Sequence, residues 1–427
     1  MPSFVITSFG SLGDLNPYIG LGRALTARGH DVVLAIPGQY VPYAEAAGLR
    51  ASPVRPDIDP GQRDVVRKVI HPLRGAEYLI RELMMPNVEA SYEDLDALVR
   101  DGDVLVSHPL TYAAPVLAER RSLLWASSVL APLGFFSRAD PPLMMVHPLV
   151  AALQRNLLAV YRQLIPLSRV VTRTWSPQVA ALRKRLGLPP GADPVHGGQF
   201  SPYLNLAMFS PMLAALQDDW PPHTVVTGAV TYDAVHGGMP RLLEEFLDAG
   251  PAPIVFTLGS TAVASGHAPR FYQASVDAAS DVGARAVLLV GQHDSHVPDT
   301  RGRSDVFVAE WAPHTALFER ASVTVHSGGA GTLHTALASG KPMLIVPFAH
   351  DQGDNAVRTT GLGVARVLFP TQYSRNAAAR QLGYLLSPEP RSRAAQVAET
   401  IRTQDGAARA CEALETLAHR RGTSNAA

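Results

Sequence analysis

Cysteine is almost missing from this 427-residue chain, in which Cys411 stands alone. A single thiol cannot close an internal disulfide, so it is expected to pack as a small hydrophobe, in keeping with a cytoplasmic setting. Net charge is missing too: 37 Lys and Arg balance 37 Asp and Glu. No Lys/Arg-rich run appears, so the electrostatic footprint of a nucleic-acid binder is absent and DNA or RNA is not an expected partner. No stretch approaches the roughly 18 consecutive apolar residues of a transmembrane helix. The opening residues, Pro2 to Phe9, lack a basic region and are too short for a signal segment, and are read as a buried strand. The glycines that follow, at Gly10 and Gly13, do not form G-x-G-x-x-G, and no suitably placed acid closes the second strand, which argues against a dinucleotide-dependent dehydrogenase.

The length exceeds one ordinary core, and a hydrophobic fraction of 47% supplies two. Short apolar runs alternate with helical periodicity: Phe4 to Ser8, Asp31 to Ile36, Val104 to Ser107, Leu123 to Ser127 and Asn205 to Phe209, then Ile254 to Leu258, Ala286 to Val290 and Val306 to Ala309. Such alternation implies doubly wound parallel sheets of the α/β class. The polar, Gly/Pro-marked segment from Tyr232 to Pro240 is the expected boundary, giving one domain over residues 1–231 and another from 241. Residues 132–166 are proline-bounded and apolar. Within them Leu153, Leu157, Val160 and Leu164 share one helical side, and Gln154, Arg155 and Arg162 the other, as in an ordinary core helix or the wall of an apolar cleft.

The richest stretch runs from Trp311 to Asn355. A β-branched run, Ser322 to His326, enters Ser327-Gly-Gly-Ala-Gly-Thr332. A helical pattern follows, then a second buried run, Pro342 to Pro347, and finally His350-Asp-Gln352 and Asn355. Glycines at a strand end let the backbone approach a ligand, and the next helix aims free N–H groups and its positive end there, which suits a phosphate or pyrophosphate. His326 can add a ring donor, and Thr332 a hydroxyl. Trp311 offers a flat face to a nucleobase. Asp351 and Gln352, past the next strand end, suit paired sugar hydroxyls. Base, diphosphate and sugar together describe a nucleotide sugar.

These residues, with Gly10-Ser-Leu-Gly-Asp14-Leu-Asn-Pro17, Asp219-Trp-Pro221, Thr227-Gly228 and Phe256-Thr-Leu-Gly-Ser260, resemble family 1 glycosyltransferases of the GT-B fold over nearly the whole chain. Within the family the likeness is to bacterial enzymes acting on natural products and lipids, including rhamnosyltransferases. The resemblance implies two Rossmann-like domains facing a cleft, an acceptor-binding 1–231 and a nucleotide-sugar-binding 241–405, with a last helix in 406–427 returning to the first domain. It implies an inverting O-glycosyltransferase moving a hexose or deoxyhexose from a dTDP- or UDP-sugar to a lipophilic hydroxyl acceptor. Its donor set is Gly13, Ser260, Trp311, Ala312, His326, Gly328, Gly329, Gly331, Thr332, Asp351 and Gln352. The expected acceptor side is His108, Phe135, Phe136, Met144 and Met145, and a homodimer is an open expectation.

Asp14 stands at the carboxyl edge of the first sheet, where a carboxylate can take the acceptor's proton, although Asp is also a favoured helix cap. The two roles are compatible. No metal cofactor is expected: Asp57-Ile-Asp59, Asp94-Leu-Asp96 and Asp101-Gly-Asp103 lie in polar stretches away from strand ends, whereas hard cations need converging oxygens. His334 stands where plant and animal relatives carry a ribose-binding Glu, and His314 where many carry Gln. Losing that acid weakens the case for UDP and suits thymidine, which has no 2′-hydroxyl. His334 itself is equally readable as a partly exposed helix residue. Two alternatives share the fold, a nucleotide-sugar 2-epimerase and an inactive auxiliary protein. The first leaves residues 132–166 unexplained, and the second would be expected to have lost Asp14 or His326.

Overall fold

The computed structural model describes residues 2–58, 62–71, 74–143, 152–154, 156–233, 238–259, 266–291, 297–300 and 302–424. Its first half carries strands β1 (Ser3–Thr7), β2 (Asp31–Ile36), β3 (Arg50–Pro53), β4 (Val104–Ser107), β5 (Trp125–Val129), β6 (Asn205–Ala207) and β7 (Thr224–Val226). The second carries β8 (Ile254–Thr257), β9 (Ala286–Leu289), β10 (Val306–Ala309), β11 (Val323–His326), β12 (Met343–Ile345) and β13 (Ala365–Val367). Every pairing is parallel. The orders are β3-β2-β1-β4-β5-β6-β7 and β10-β9-β8-β11-β12-β13, two doubly wound sheets of the GT-B architecture.

These orders place the site before any side chain is considered. In each sheet the winding reverses once, between β1 and β4 and between β8 and β11, and the crevice beyond the carboxyl ends there is where open α/β sheets bind ligands. The turn after β1 leads into the helix start that carries Asp14, and the loop after β4 carries His108. The loops after β8 and β11 carry Gly259 and the run from Ser327. The strands hold their places because both faces are covered: Phe4, Ile6, Leu34 and Val106 pack on one side of the first sheet, and Val5, Ala35 and Leu105 on the other. Phe256, Leu288 and Val325 divide from Val255, Val287 and Ile345 in the same way. Each fully buried Ile, Leu or Phe contributes about 1.5–3 kcal/mol.

The last helix, Gly406–Ser424, packs Ala410, Cys411, Leu414 and Leu417 onto the first half's core. Its Glu415 receives Arg28 through Nε and Nη2, both at 2.8 Å, and His30 Nε2 at 2.8 Å. Among the described residues no helix is long and apolar enough to cross a membrane.

Helix Leu158–Thr172 corrects the expectation of a core helix. Leu153, Leu157, Val160 and Leu164 are exposed. The polar side makes the contacts instead: Tyr161 donates to the Pro142 carbonyl at 2.7 Å, Arg162 to the Ala139 carbonyl at 3.2 Å, and Thr172 to Asp193 at 2.7 Å. Those bonds anchor the helix through its hydrogen-bonding side chains and turn the apolar stripe outward.

The Glu415 contacts carry a pH dependence. Bonds from Arg28 and then His30 hold its carboxyl down from the ordinary 4.5 to about 2. A carboxylate depressed in the folded state stabilises fully above its unfolded value, and that stability is lost as pH falls through the folded one. Glu415→Gln should therefore cost about 1 kcal/mol at neutral pH, the scale of a surface pair. The gap from the parent should close between pH 4.5 and 2. Thermal melts at several pH values check this, and a gap independent of pH would contradict it.

Candidate active site

The first helix, Leu12–Ala27, starts at the cleft with a reciprocal cap. Its N-cap is Ser11, and Asp14 closes the box from the third position, its Oδ2 accepting from the Ser11 N–H at 2.8 Å and the Ser11 hydroxyl at 3.1 Å. This corrects the simpler picture of Asp14 as the cap residue itself. Gly10 makes the arrangement possible, because its φ is +139° and a Cβ there would lie 2.3 Å from Asp14 Oδ2. The other oxygen, Oδ1, faces His108 Nε2 at 3.9 Å. Burial of the group between the two halves raises the Asp14 pKa, against the lowering effect of the Ser11 bonds.

His108 belongs with Asp14. Its Nδ1 accepts from the Leu110 N–H at 3.2 Å, so the proton of the neutral ring sits on Nε2, toward the carboxylate. Burial holds its pKa down to about 3, and Tyr18 packs edge-on against the ring at 5.8 Å. A cavity of about 430 Å³ extends from His108 and Thr111 along helix Ala113–Arg120 to Ser122, with Trp125, Gln199 and Phe200 in its wall.

Opposite lies helix Ala330–Ser339, whose N-cap, Gly329, provides no side-chain cap for the first-turn N–H groups. Gly328, at φ +88°, brings the chain against Ile345, where a Cβ would meet Cγ2 at 2.7 Å. A Cβ added at Gly331 would stand 3.6 Å from the Gly13 carbonyl, so the two helix starts meet across the cleft. Thr332 is half-buried in that first turn. His326 ends β11 fully buried and accepts from the Gly328 N–H through Nδ1 at 3.1 Å. Its proton is therefore on Nε2, a buried atom with no partner among the described residues. Burial, and then His314, keep the His326 pKa near 3. A neutral, unpaired donor beside an uncapped helix start calls for an anionic acceptor, since leaving it unmet costs about 1–3 kcal/mol.

Asn355 ties this corner to the acid after β12. Its Nδ2 donates to the Gly328 carbonyl at 3.0 Å and to Asp351 Oδ2 at 2.8 Å, and its Oδ1 is buried without a partner. Asp351 is pushed up to about 7, by burial first and by the charge of Asp14 second, so the two carboxyls sense each other across the cleft. Gln352 departs from expectation. Its Oε1 accepts from the Phe348 and Ala349 N–H groups at 2.8 and 3.2 Å and closes its own loop, leaving only its amide donors for a sugar.

The remaining positions divide. Trp311 keeps 37% exposure, whereas Ala312 is core. Ser260, Met144 and Met145 lie outside the described residues. Phe135 corrects the expected acceptor wall: it is 5% exposed and stacked between Trp220 at 4.1 Å and Phe200 at 5.7 Å. That aromatic stack, which the apolar run could not distinguish from a cleft lining, draws it inward. Phe136 meets His196 edge-on at 4.3 Å, and no described residue of 132–166 lines the 430 Å³ cavity.

His334 is buried, not partly exposed. Its Nδ1 donates to the Ala330 carbonyl at 2.8 Å, and its Nε2 accepts from the Ser210 N–H of the other half at 3.1 Å. Arg358 also spans the halves, reaching Asp140 at 2.5 Å and the Leu213 carbonyl at 3.2 Å while held by Asp354 at 2.8 Å. Of the Asp-x-Asp positions, Asp59 lies outside the described residues and the others are engaged elsewhere: Asp57 with the Gln39 N–H, Asp94 with Arg55, Asp96 and Asp101 with Arg121, and Asp103 with the Arg100 N–H. Among the described residues no three His, Cys, Asp or Glu groups converge as a metal site.

The chain is similar to known proteins over nearly its whole length. Residues 274–416 match the family described as erythromycin biosynthesis protein CIII-like, C-terminal domain. The chain is 30% identical to O-mycaminosyltylonolide 6-deoxyallosyltransferase of Streptomyces fradiae, over 98% of both chains. It is 28% identical to vancomycin aglycone glucosyltransferase of Amycolatopsis orientalis, over 96% of each. The solved structure of glycosyltransferase VinC in complex with dTDP superposes with a TM-score of 0.67 at 20% identity, covering 98% of this chain and all of the other.

The orphaned ring nitrogen yields a direct test. His326→Ala should weaken nucleoside diphosphate binding by about 2 kcal/mol, near thirtyfold in Kd, the worth of a hydrogen bond to a charged group. Titration calorimetry with dTDP and UDP measures this, and unchanged affinity for both would remove His326 from the diphosphate site.

Proposed function

The chain belongs to the GT-B family 1 glycosyltransferases of antibiotic biosynthesis, and on that premise we propose that it transfers a deoxyhexose from a dTDP-sugar to a hydroxyl of an apolar natural-product aglycone, with inversion at the anomeric carbon. The observation that carries this reading is the opposition of Asp14 Oδ1, open beside His108, to the uncapped helix start with its unpaired His326 Nε2–H. Asp14 takes the acceptor's proton as the acceptor oxygen bonds to the anomeric carbon. The bond from that carbon to the diphosphate oxygen breaks on the opposite face. Charge growing on the leaving group meets His326 and the N–H groups of Ala330, Gly331 and Thr332. In this scheme those donors stabilise the diphosphate without a metal.

The choice of thymidine rests on His334. Both its ring nitrogens are taken by backbone groups, and no carboxylate stands there for a ribose 2′-hydroxyl. The solved neighbour bound to dTDP supports the same choice, and the deoxyallosyl-transferring relative supports a deoxyhexose. Trp311 then stacks on the base, and Asp351 with the Gln352 amide receives sugar hydroxyls. The aglycone occupies the cavity that begins at His108.

Asp14→Asn tests the assignment. It keeps an oxygen for the Ser11 bonds but cannot accept a proton, so kcat should fall by roughly two to four orders of magnitude. Melting shifts with dTDP should match the parent's and exceed those with UDP and GDP. Near-normal turnover would remove Asp14 from the mechanism, and loss of dTDP binding would show that it belongs to the donor site.

A further inference from the structure

The cavity that begins at His108 reaches from the cleft toward the amino ends of the strands. Ser107 pairs with Ser127 and Leu105 with Trp125 across β4 and β5, and the same wall continues to Leu123 and Ser122, before β5 begins. From Ser127 back to Leu123 the extended chain covers roughly 13 Å. Helix Ala113–Arg120 runs beside it over about 12 Å. A volume of about 430 Å³ drawn out over that distance is a slot, suited to an elongated ligand. At the far end Arg183 donates through Nη1 and Nη2 to Glu119 at 2.7 and 2.8 Å, and through Nε to the Pro189 carbonyl at 2.9 Å. That pair neutralises itself, so the slot asks for no charge.

Two polar side chains in this wall, Trp125 and Gln199, are each more than nine-tenths buried. Gln199 Nε2 donates to the Val195 carbonyl, which fixes the amide and leaves Oε1 as an acceptor. Trp125 offers a donor only, its Nε1–H. Among the described residues neither atom has a partner, and neither is sealed into the core as the unpaired Trp220 Nε1 is, so both open onto the slot. The loop around them is tied down: Ser201 donates to the Trp125 carbonyl at 2.6 Å, and Asp193 accepts from the Val195 N–H at 2.8 Å. The two atoms are therefore in place before a ligand arrives.

We propose that Trp125 and Gln199 determine acceptor specificity: the slot takes a rigid, uncharged, apolar aglycone that carries oxygen functions remote from the hydroxyl receiving the sugar. The assignment rests on the reading above, in which the reacting hydroxyl lies at Asp14. A remote hydroxyl, alone or with a carbonyl or ether beside it, accepts from Trp125 and donates to Gln199. A plain hydrocarbon chain strips water from both atoms and returns no hydrogen bond, so the pair selects against an unsubstituted lipid.

Equilibrium dialysis of the dTDP-loaded protein against 17β-oestradiol, 3-deoxyoestradiol and 1-dodecanol tests this. The first two share one rigid ring body and differ in the remote hydroxyl, and the third is a chain with a single hydroxyl. The parent should bind oestradiol about tenfold or more tighter than its 3-deoxy analogue, with dodecanol weaker than oestradiol by a similar factor. Trp125→Phe and Gln199→Met should each shrink the preference for oestradiol over 3-deoxyoestradiol to about threefold or less. Melting shifts with dTDP should stay at the parent's value in both variants, which shows that they fold and that the donor site is untouched. Asp14→Asn should keep the preference, so normal turnover in that variant sinks the base assignment alone. Failure of the parent to bind oestradiol, a parental preference below threefold, a preference that survives in both slot variants, or dodecanol binding as tightly as oestradiol would each overturn the proposal.

Discussion

Two helix N-termini aimed at each other across a cleft are the constraint on which this structure depends. Each exposes free N–H groups and the positive end of a dipole, and two such ends brought together repel unless something negative stands between them. The chain answers the two ends differently. The first helix receives an acid from its own third position, Asp14, which spends one oxygen on Ser11 and keeps the other for the cleft. The helix after β11 receives nothing from its own N-cap, Gly329, and the buried donor of His326 beside it is unmet. A self-satisfied end and an unsatisfied end divide the chemistry: a base on one side, and a place for an anionic leaving group on the other.

That division requires the halves to keep their alignment, and the seam between them is built from polar groups at low dielectric. His334 can accept the Ser210 N–H only while neutral, and burial holds its pKa near 4. Arg358, Asp354 and Asp140 form a largely buried ion cluster, with Asp354 also receiving the Leu143 N–H at 2.9 Å. Buried ion pairs roughly balance desolvation against attraction, so such a cluster adds little net stability while penalising any arrangement that leaves one member unpaired. Its contribution is alignment. The same seam joins the loop before the apolar helix at Tyr161 and Pro142 to the helix carrying Asp351, Asp354 and Asn355, so acceptor-side and donor-side elements are positioned together.

The sheets were legible in the sequence where a strand is covered on both faces. Val104 to Ser107 and Ile254 to Leu258 read as apolar runs because no position along them faces water. β3 and β13 were not legible. Both are edge strands, and Arg50-Ala-Ser-Pro53 and Ala365-Arg-Val367 are too short and too polar to stand out. Within the site, the glycines, His326, Asp14 and Asp351 could be named because strand ends and turn chemistry mark them. Gly10's accommodation of the Asp14 carboxylate, Asn355's double bond to Gly328 and Asp351, and the spanning role of His334 depend on contacts between distant segments. Asn355 alone left a local trace, four residues past Asp351 on the same helical face. The apolar helix failed in the opposite way, since its periodicity was read correctly but periodicity does not say which face meets the core.

The central claim is that Asp14 acts as base in a cleft it shares with Asp351, and the pH dependence of kcat/KM tests it most directly. Burial raises the Asp14 pKa, and once Asp14 is ionised its charge adds to burial in pushing Asp351 up to about 7. The account predicts activity that rises with pH through a limb above the ordinary aspartate range. An acid limb at the ordinary aspartate value would contradict it.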